Sequence, residues 1–245
     1  MHPSAFFPPA VACALAVSAS TALAQTCQAT AAAKPPVVVE LYTSEGCSSC
    51  PPADRWLSSL KGRSDVLPLA FHVGYWDYLG WTDRFARPEF TQRQYQWART
   101  HRAANVYTPQ TIVDGRDWRG WPKLPSADAP AQAVAPVTLR LTRQDDLVTA
   151  DVGPAAAGTP ALAGYWAVLE NGHRSQVRAG ENAGETLAHD HVVRLLQPVA
   201  GWAPLAGLRS QLKVTRGEVA TPRRVAFVVV DMQSQRPVQA LALDC

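Results

Sequence analysis

Residues 38–54 read Val38-Val39-Glu40-Leu41-Tyr42-Thr43-Ser44-Glu45-Gly46-Cys47-Ser48-Ser49-Cys50-Pro51-Pro52-Ala53-Asp54. The apolar run from Val37 to Leu41 predicts a buried strand. Pro51 and Pro52 predict the first turn of a helix, where a missing backbone N–H leaves no bond unmade. Cys47 and Cys50 therefore stand at a helix N-terminus, facing unpaired N–H groups and the positive end of the macrodipole. That setting favours a thiolate and lowers its pKa. Such a pair can exchange disulfides: Cys47 attacks, and Cys50, the more buried sulfur, resolves the mixed disulfide. Asp54 in the same first turn stabilises the helix but opposes the thiolate if it points at the sulfurs.

Working outward, Val66 to Val73 predicts a second strand. A helix is expected from Pro88 to Ala104, and Thr111-Ile112-Val113 predicts a strand entering a turn at Asp114-Gly115. Strands alternating with helices define an α/β sheet in the order β-α-β-α-β-turn. Residues 122–136 are rich in Pro and Ala without apolar period and read as a linker. Beyond it the period becomes two, in Val137-x-Leu139-x-Leu141 and Val148-x-Ala150-x-Val152, which predicts a hairpin. Tyr165 to Leu169 leads into Asn171-Gly172, a strong hairpin signal, and Val225 to Met232 turns back into Val238 to Leu243. The expected organisation is an α/β domain over 25–121, the linker, and an antiparallel β-sandwich-like domain over 137–245.

Residues 1–24 carry no Lys, Arg, Asp or Glu and end Ala22-Leu23-Ala24. This is the pattern of a cleavable signal peptide, so a secreted, periplasmic protein is expected. Cleavage leaves Cys27, Cys47, Cys50 and Cys245, for which three pairings exist. The close pair Cys47–Cys50 forms one bridge most simply. That leaves Cys27–Cys245 to staple the chain ends, with two free or intermolecular thiols as the alternative. The net charge is +3 and the basic residues are scattered among acids, which argues against nucleic acid as a partner. No segment after the signal is apolar enough to span a membrane.

Residues 38–54, Phe71 to Trp81, Val106 to Gln110, and Gly180 to Gly184 running on to His189-Asp190-His191-Val192-Val193-Arg194 together resemble a secreted bacterial thioredoxin-like family of unknown function. The resemblance implies a thioredoxin-like fold for the first half. It also implies a cis Pro109 after Thr108, with Thr108 offering its backbone to an extended partner chain. Glu40 lies near where thioredoxins bury an acid beneath the dithiol and is a candidate proton relay. The sequence departs from thioredoxin itself in having Gly46 before the first cysteine, Ser48-Ser49 between the pair and Pro51-Pro52 after it. Tyr75 and Trp76, in an aromatic loop, either wall the cysteines as substrate-binding residues or bury the domain edge.

The function expected is thiol–disulfide exchange on exported proteins with cysteines, or on small thiols, with Cys47, Cys50, Pro109 and Glu40 in the site and no cofactor. Two alternatives stand beside it. One is a copper-binding or delivery protein in which His72 joins the thiols. The other is an interaction module with a permanent Cys47–Cys50 bridge. No metal site is expected from the sequence. A Cys/His partner pair at zinc spacing is missing, and His189 and His191 are more simply a polar strand face.

Overall fold

A computed structural model describes residues 26–125, 134–218 and 221–245. The expected signal peptide and most of the expected linker lie outside the described residues. The strands are β1 (Thr26–Thr30), β2 (Val37–Thr43), β3 (Val66–His72), β4 (Gln110–Val113), β5 (Arg116–Asp117), β6 (Leu139–Gln144) and β7 (Leu147–Val152). They continue with β8 (Leu162–Glu170), β9 (His173–Gln176), β10 (Thr186–His189), β11 (Val192–Trp202), β12 (Leu208–Lys213), β13 (Arg223–Asp231) and β14 (Pro237–Leu243). Two α-helices, α1 (Pro51–Ser58) and α2 (Pro88–Thr100), both begin on proline. The protein is mostly β-sheet.

An eight-stranded sheet runs in the order β14-β13-β8-β11-β3-β2-β4-β5. It contains strands from both halves of the chain, so the two expected units are not separate sheets. The seam is narrow. Val192 of β11 pairs in parallel with Ala70 of β3, and the Ala70 N–H donates to the His191 carbonyl at 2.8 Å. Parallel pairing of β2 with β3 needs a crossover, which α1 supplies, whereas β4 lies antiparallel to β2 and the expected turn at Asp114-Gly115 joins it to β5.

Alternation along β2 fixes what each face buries. Val39 and Leu41 pack with Ala53, Trp56 and Leu57 of α1. Val38 and Tyr42 face the other way, into a core with Phe71, Phe90 of α2, Tyr165, Ala167 and Val228, which crosses the seam. This shared core locks the halves together, because each buried large apolar side chain contributes about 1.5–3 kcal/mol.

The antiparallel layers of the second half are present. A four-stranded sheet, β1-β6-β7-β12, packs Leu139, Leu141, Val148 and Ala150 against Trp166, Val168 and Phe227 of the long sheet. Its edge strand β1 comes from the start of the chain and pairs with β6, outside the unit to which the sequence assigned it. The Cys27–Cys245 disulfide holds that strand to the last residue, with Cα atoms 6.6 Å apart. The Asn171-Gly172 expectation fails. β8 does not pair with β9: its neighbours are β11 and β13, while β9 pairs with β10. Asn171 Oδ1 instead accepts from the His191 N–H at 2.8 Å, so the dipeptide ties two loops together. Among the described residues no helix is long and apolar enough to cross a membrane.

Candidate functional site

β2 ends at Thr43, and the chain loops through Ser44 to Ser49 before Cys50 caps α1 with helical dihedrals, φ −78° and ψ −37°. Cys47 and Cys50 are joined in a disulfide, Cα atoms 5.4 Å apart. Both are buried, 1% and 0% exposed, while Ser48 and Ser49 between them face solvent. The Cys47 Sγ lies 3.4 Å from the Ser49 hydroxyl. Gly46 is dictated by crowding, since a Cβ there would stand 3.0 Å from the Cβ of Trp76. The Trp76 indole N–H donates to Thr108 Oγ1 at 2.7 Å, and the Thr108–Pro109 peptide is cis. Cys47, Cys50, Trp76, Thr108 and Pro109 thus gather at one end of the long sheet. Tyr75 turns inward against the shared core, where burial pushes its hydroxyl up to about 12. Tyr78, 77% exposed, stacks on Trp76 instead and extends an aromatic shelf into solvent.

The second half of the chain closes over the dithiol loop. Glu181 Oε2 accepts from the backbone N–H and the hydroxyl of Ser48, at 2.9 and 2.8 Å. The Asn182 amide donates to the carbonyls of Glu45 and Cys47, at 2.8 and 3.0 Å. Gly180 and Gly184, with φ of +75° and +91°, bracket this strap in a conformation that side-chain-bearing residues resist. The strap fixes the backbone on either side of Cys47.

Glu40 does not lie with the dithiol. It shares the face of Val38 and Tyr42, opposite α1. Its carboxylate accepts from Arg93 Nη2 at 2.5 Å and from the hydroxyls of Tyr165 at 2.9 Å and Tyr42 at 3.4 Å. The proton-relay expectation for Glu40 is therefore corrected: alternation along β2 sends it into a structural ion pair. The buried acids on the dithiol side are Glu45, Asp54 and Asp83, exposed 0%, 7% and 2%.

Two histidines stand among them. His72 Nδ1 and Asp83 Oδ2 are 2.7 Å apart, and the ring of His189 from β10 meets that of His72 edge-on with centroids 4.9 Å apart. His189 Nε2 lies 3.2 Å from Glu45 Oε1, and its Nδ1 lies 4.0 Å from Asp54 Oδ2. Glu45 also accepts from the Trp81 indole at 2.8 Å. Burial alone would raise Asp83, but the charge and hydrogen bond of His72 hold it down to about 2. The same pairing outweighs burial at His72 and raises its pKa. Burial raises Asp54, against the pull of His189 and His72.

Glu45, Asp83 and Asn182 were not singled out from the sequence. Glu45 carried one signal, an acid two residues before Cys47. Asp83 carried none, since His72 and Glu45 are distant in sequence, whereas Asn182 stood in the Gly180 to Gly184 block that carried the family resemblance. His189 and His191 share no site. His191, with φ 58°, sits between β10 and β11 with its ring buried, and burial with the nearby Arg224 lowers it to about 4. Among the described residues, no three His, Cys, Asp or Glu side chains are arranged to hold a metal ion.

Fold and site together define a mostly β protein with a Cys-x-x-Cys disulfide at a helix N-terminus, roofed by its own second half. The chain belongs to the family of proteins of unknown function DUF1223, whose model matches residues 38–231. It is similar to the crystal structure of protein AGR_C_4864 from Agrobacterium tumefaciens, at 29% identity and a TM-score of 0.65, covering 86% of this chain and 96% of that one. It also shares the fold of HBP35 of Porphyromonas gingivalis, at 18% identity and a TM-score of 0.59, over 87% of this chain and 76% of that one. No curated protein matches the sequence.

Proposed function

We propose that the protein is a thiol–disulfide oxidoreductase with a thioredoxin-like first half, acting outside the cytoplasm on exported proteins with cysteines or on small thiols. The observation that carries the reading is the placement of Cys47 and Cys50 at the start of α1, with Trp76, Thr108 and Pro109 around them. Cys47 is the attacking sulfur, because it lies in the loop ahead of α1 and is bordered by the exposed Ser48. Cys50, held in the helix cap, is the resolving one. Thr108 and the cis Pro109, tied to the dithiol loop through Trp76, offer backbone to a partner chain, and the Trp76–Tyr78 shelf offers it apolar contact.

The reading is tested by the reduction potential of the Cys47–Cys50 couple, equilibrated against glutathione and dithiothreitol with thiol trapping and with Cys47→Ser as control. A potential above about −250 mV supports exchange. One below about −300 mV, or a bridge that mild reductants leave closed, means a permanent structural disulfide.

A further inference from the structure

Resolution of a mixed disulfide needs a base for the second thiol, and the described residues place three buried acids on the dithiol side of the sheet. Geometry separates them. Glu45 is engaged by the Trp81 indole and faces His189 Nε2 at 3.2 Å. Asp83 is engaged on both oxygens, by His72 and the Glu45 N–H on one and by the Phe85 N–H, at 2.9 Å, on the other. Asp54 differs. It lies four residues after Cys50, whose helical dihedrals make the two an i, i+4 pair on one face of α1. The Asp54 N–H donates to the Cys50 carbonyl at 3.1 Å, and both side chains are buried.

We propose that Asp54 accepts the proton of Cys50 during resolution, and that His189, delivered by the second half of the chain, is the positioning residue that sets when Asp54 can do so. This rests on the exchange reading above. In the step, Cys50–SH gives its proton to the Asp54 carboxylate, and the Cys50 thiolate attacks Cys47 Sγ in the mixed disulfide. The Cys47–Cys50 bond forms as the Cys47–partner S–S bond breaks, and the partner thiolate leaves and takes a proton from water. The dithiol loses two electrons and the partner's original disulfide gains them.

The charge environment fits this assignment. Facing Asp54 are Thr43 from β2, His72 from β3, His189 from β10 and Asp83 from the loop before α2. Burial raises the Asp54 pKa, which makes it the best proton acceptor of the three, whereas Glu45 and Asp83 are held below the usual carboxylate range by their donors. His189 Nδ1 stands 4.0 Å from Asp54 Oδ2, beyond hydrogen-bond reach, so its influence on Asp54 is through space.

Two measurements test the proposal. In a Cys47→Ser background, Cys50 is a lone thiol whose ionisation is followed by thiolate ultraviolet absorbance against pH. Adding Asp54→Asn removes a neighbouring negative charge and is expected to lower the Cys50 pKa by about one unit or more. In the chain with both cysteines, reduced selectively, reaction with an aromatic disulfide releases one aryl thiol on attack and a second on resolution. Asp54→Asn is expected to slow the second release by about tenfold or more and leave the first unchanged. His189→Gln, should Asp54→Asn fail to fold, is expected to shift the pH profile of the second release upward. An unchanged Cys50 titration, or equal slowing of both releases, overturns the proposal. If the wild-type chain releases no second thiol, the exchange reading falls, and the Cys50 titration alone still decides whether Asp54 and Cys50 are coupled.

Discussion

Replacing Glu40 by Ala separates a structural acid from a catalytic one. The side chain is 8% exposed and accepts from Arg93 and from two tyrosine hydroxyls, so its removal strands a guanidinium and the Tyr165 hydroxyl in the shared core. Breaking a buried ion pair from one side costs about 3–5 kcal/mol, and an orphaned buried hydroxyl about 1–3. These losses overlap, and the Arg93 side chain keeps 24% exposure through which water can reach it, so the lower end applies, about 3 kcal/mol. For a chain of this size that corresponds to a fall in Tm of roughly 6–12 °C. Urea unfolding followed by tryptophan fluorescence measures it, and exchange kinetics on the same preparation, at a temperature where both forms are folded, are expected to agree within about twofold. A variant with wild-type stability whose resolving step is slowed tenfold would refute the reasoning and return Glu40 to the proton path.

Three further outcomes are expected. Asn182→Ala removes two hydrogen bonds that bind the strap to the carbonyls of Glu45 and Cys47, so reduction of the Cys47–Cys50 bridge by dithiothreitol is expected to speed up several-fold; stopped-flow trapping checks it. Cys27→Ser opens a loop of 218 residues and is expected to lower stability by about 2–5 kcal/mol in denaturant titrations while leaving dithiol chemistry intact. His191 is neutral when folded, with its pKa lowered to about 4 by burial and Arg224, whereas unfolded it titrates near 6.5. Its contribution is therefore present above about pH 6.5 and lost as pH falls toward 4, by about 3 kcal/mol in all. His72 runs the other way, since its raised pKa stabilises the fold below the unfolded value and loses effect as pH rises through the folded one. The difference between the wild-type and His191→Asn stability curves isolates the first effect, Asn being tolerant of a positive φ.

Local signals were read well from the sequence. Pro51-Pro52 after Cys47 and Cys50 marked the start of α1, and Pro88 marked that of α2. The period-two runs after residue 137 became β6 and β7, and both disulfides pair as the spacing and end positions suggested. What the sequence hid is long-range. The seam between β3 and β11 rests on one residue pair, Ala70 with Val192, and no local pattern announces that a strand will find a partner more than a hundred residues away. Glu40 misled because residues 40 and 45 are both acids close before Cys47. The face that each takes depends on strand alternation and on where β2 ends. Asn171-Gly172 misled because its turn chemistry is sound, but the strands that its neighbours prefer are β11 and β13.

The bond between Cys27 and Cys245 closes the polypeptide between these two residues into a covalent ring. A protease that cuts this ring once yields no separate fragments: both pieces stay joined through the bridge and part only on reduction. The ring also frees the protein from its own ends. A chain opened in an exposed loop, with residues 27 and 245 joined by a short peptide in place of the sulfurs, would thread the same sheets in a new order.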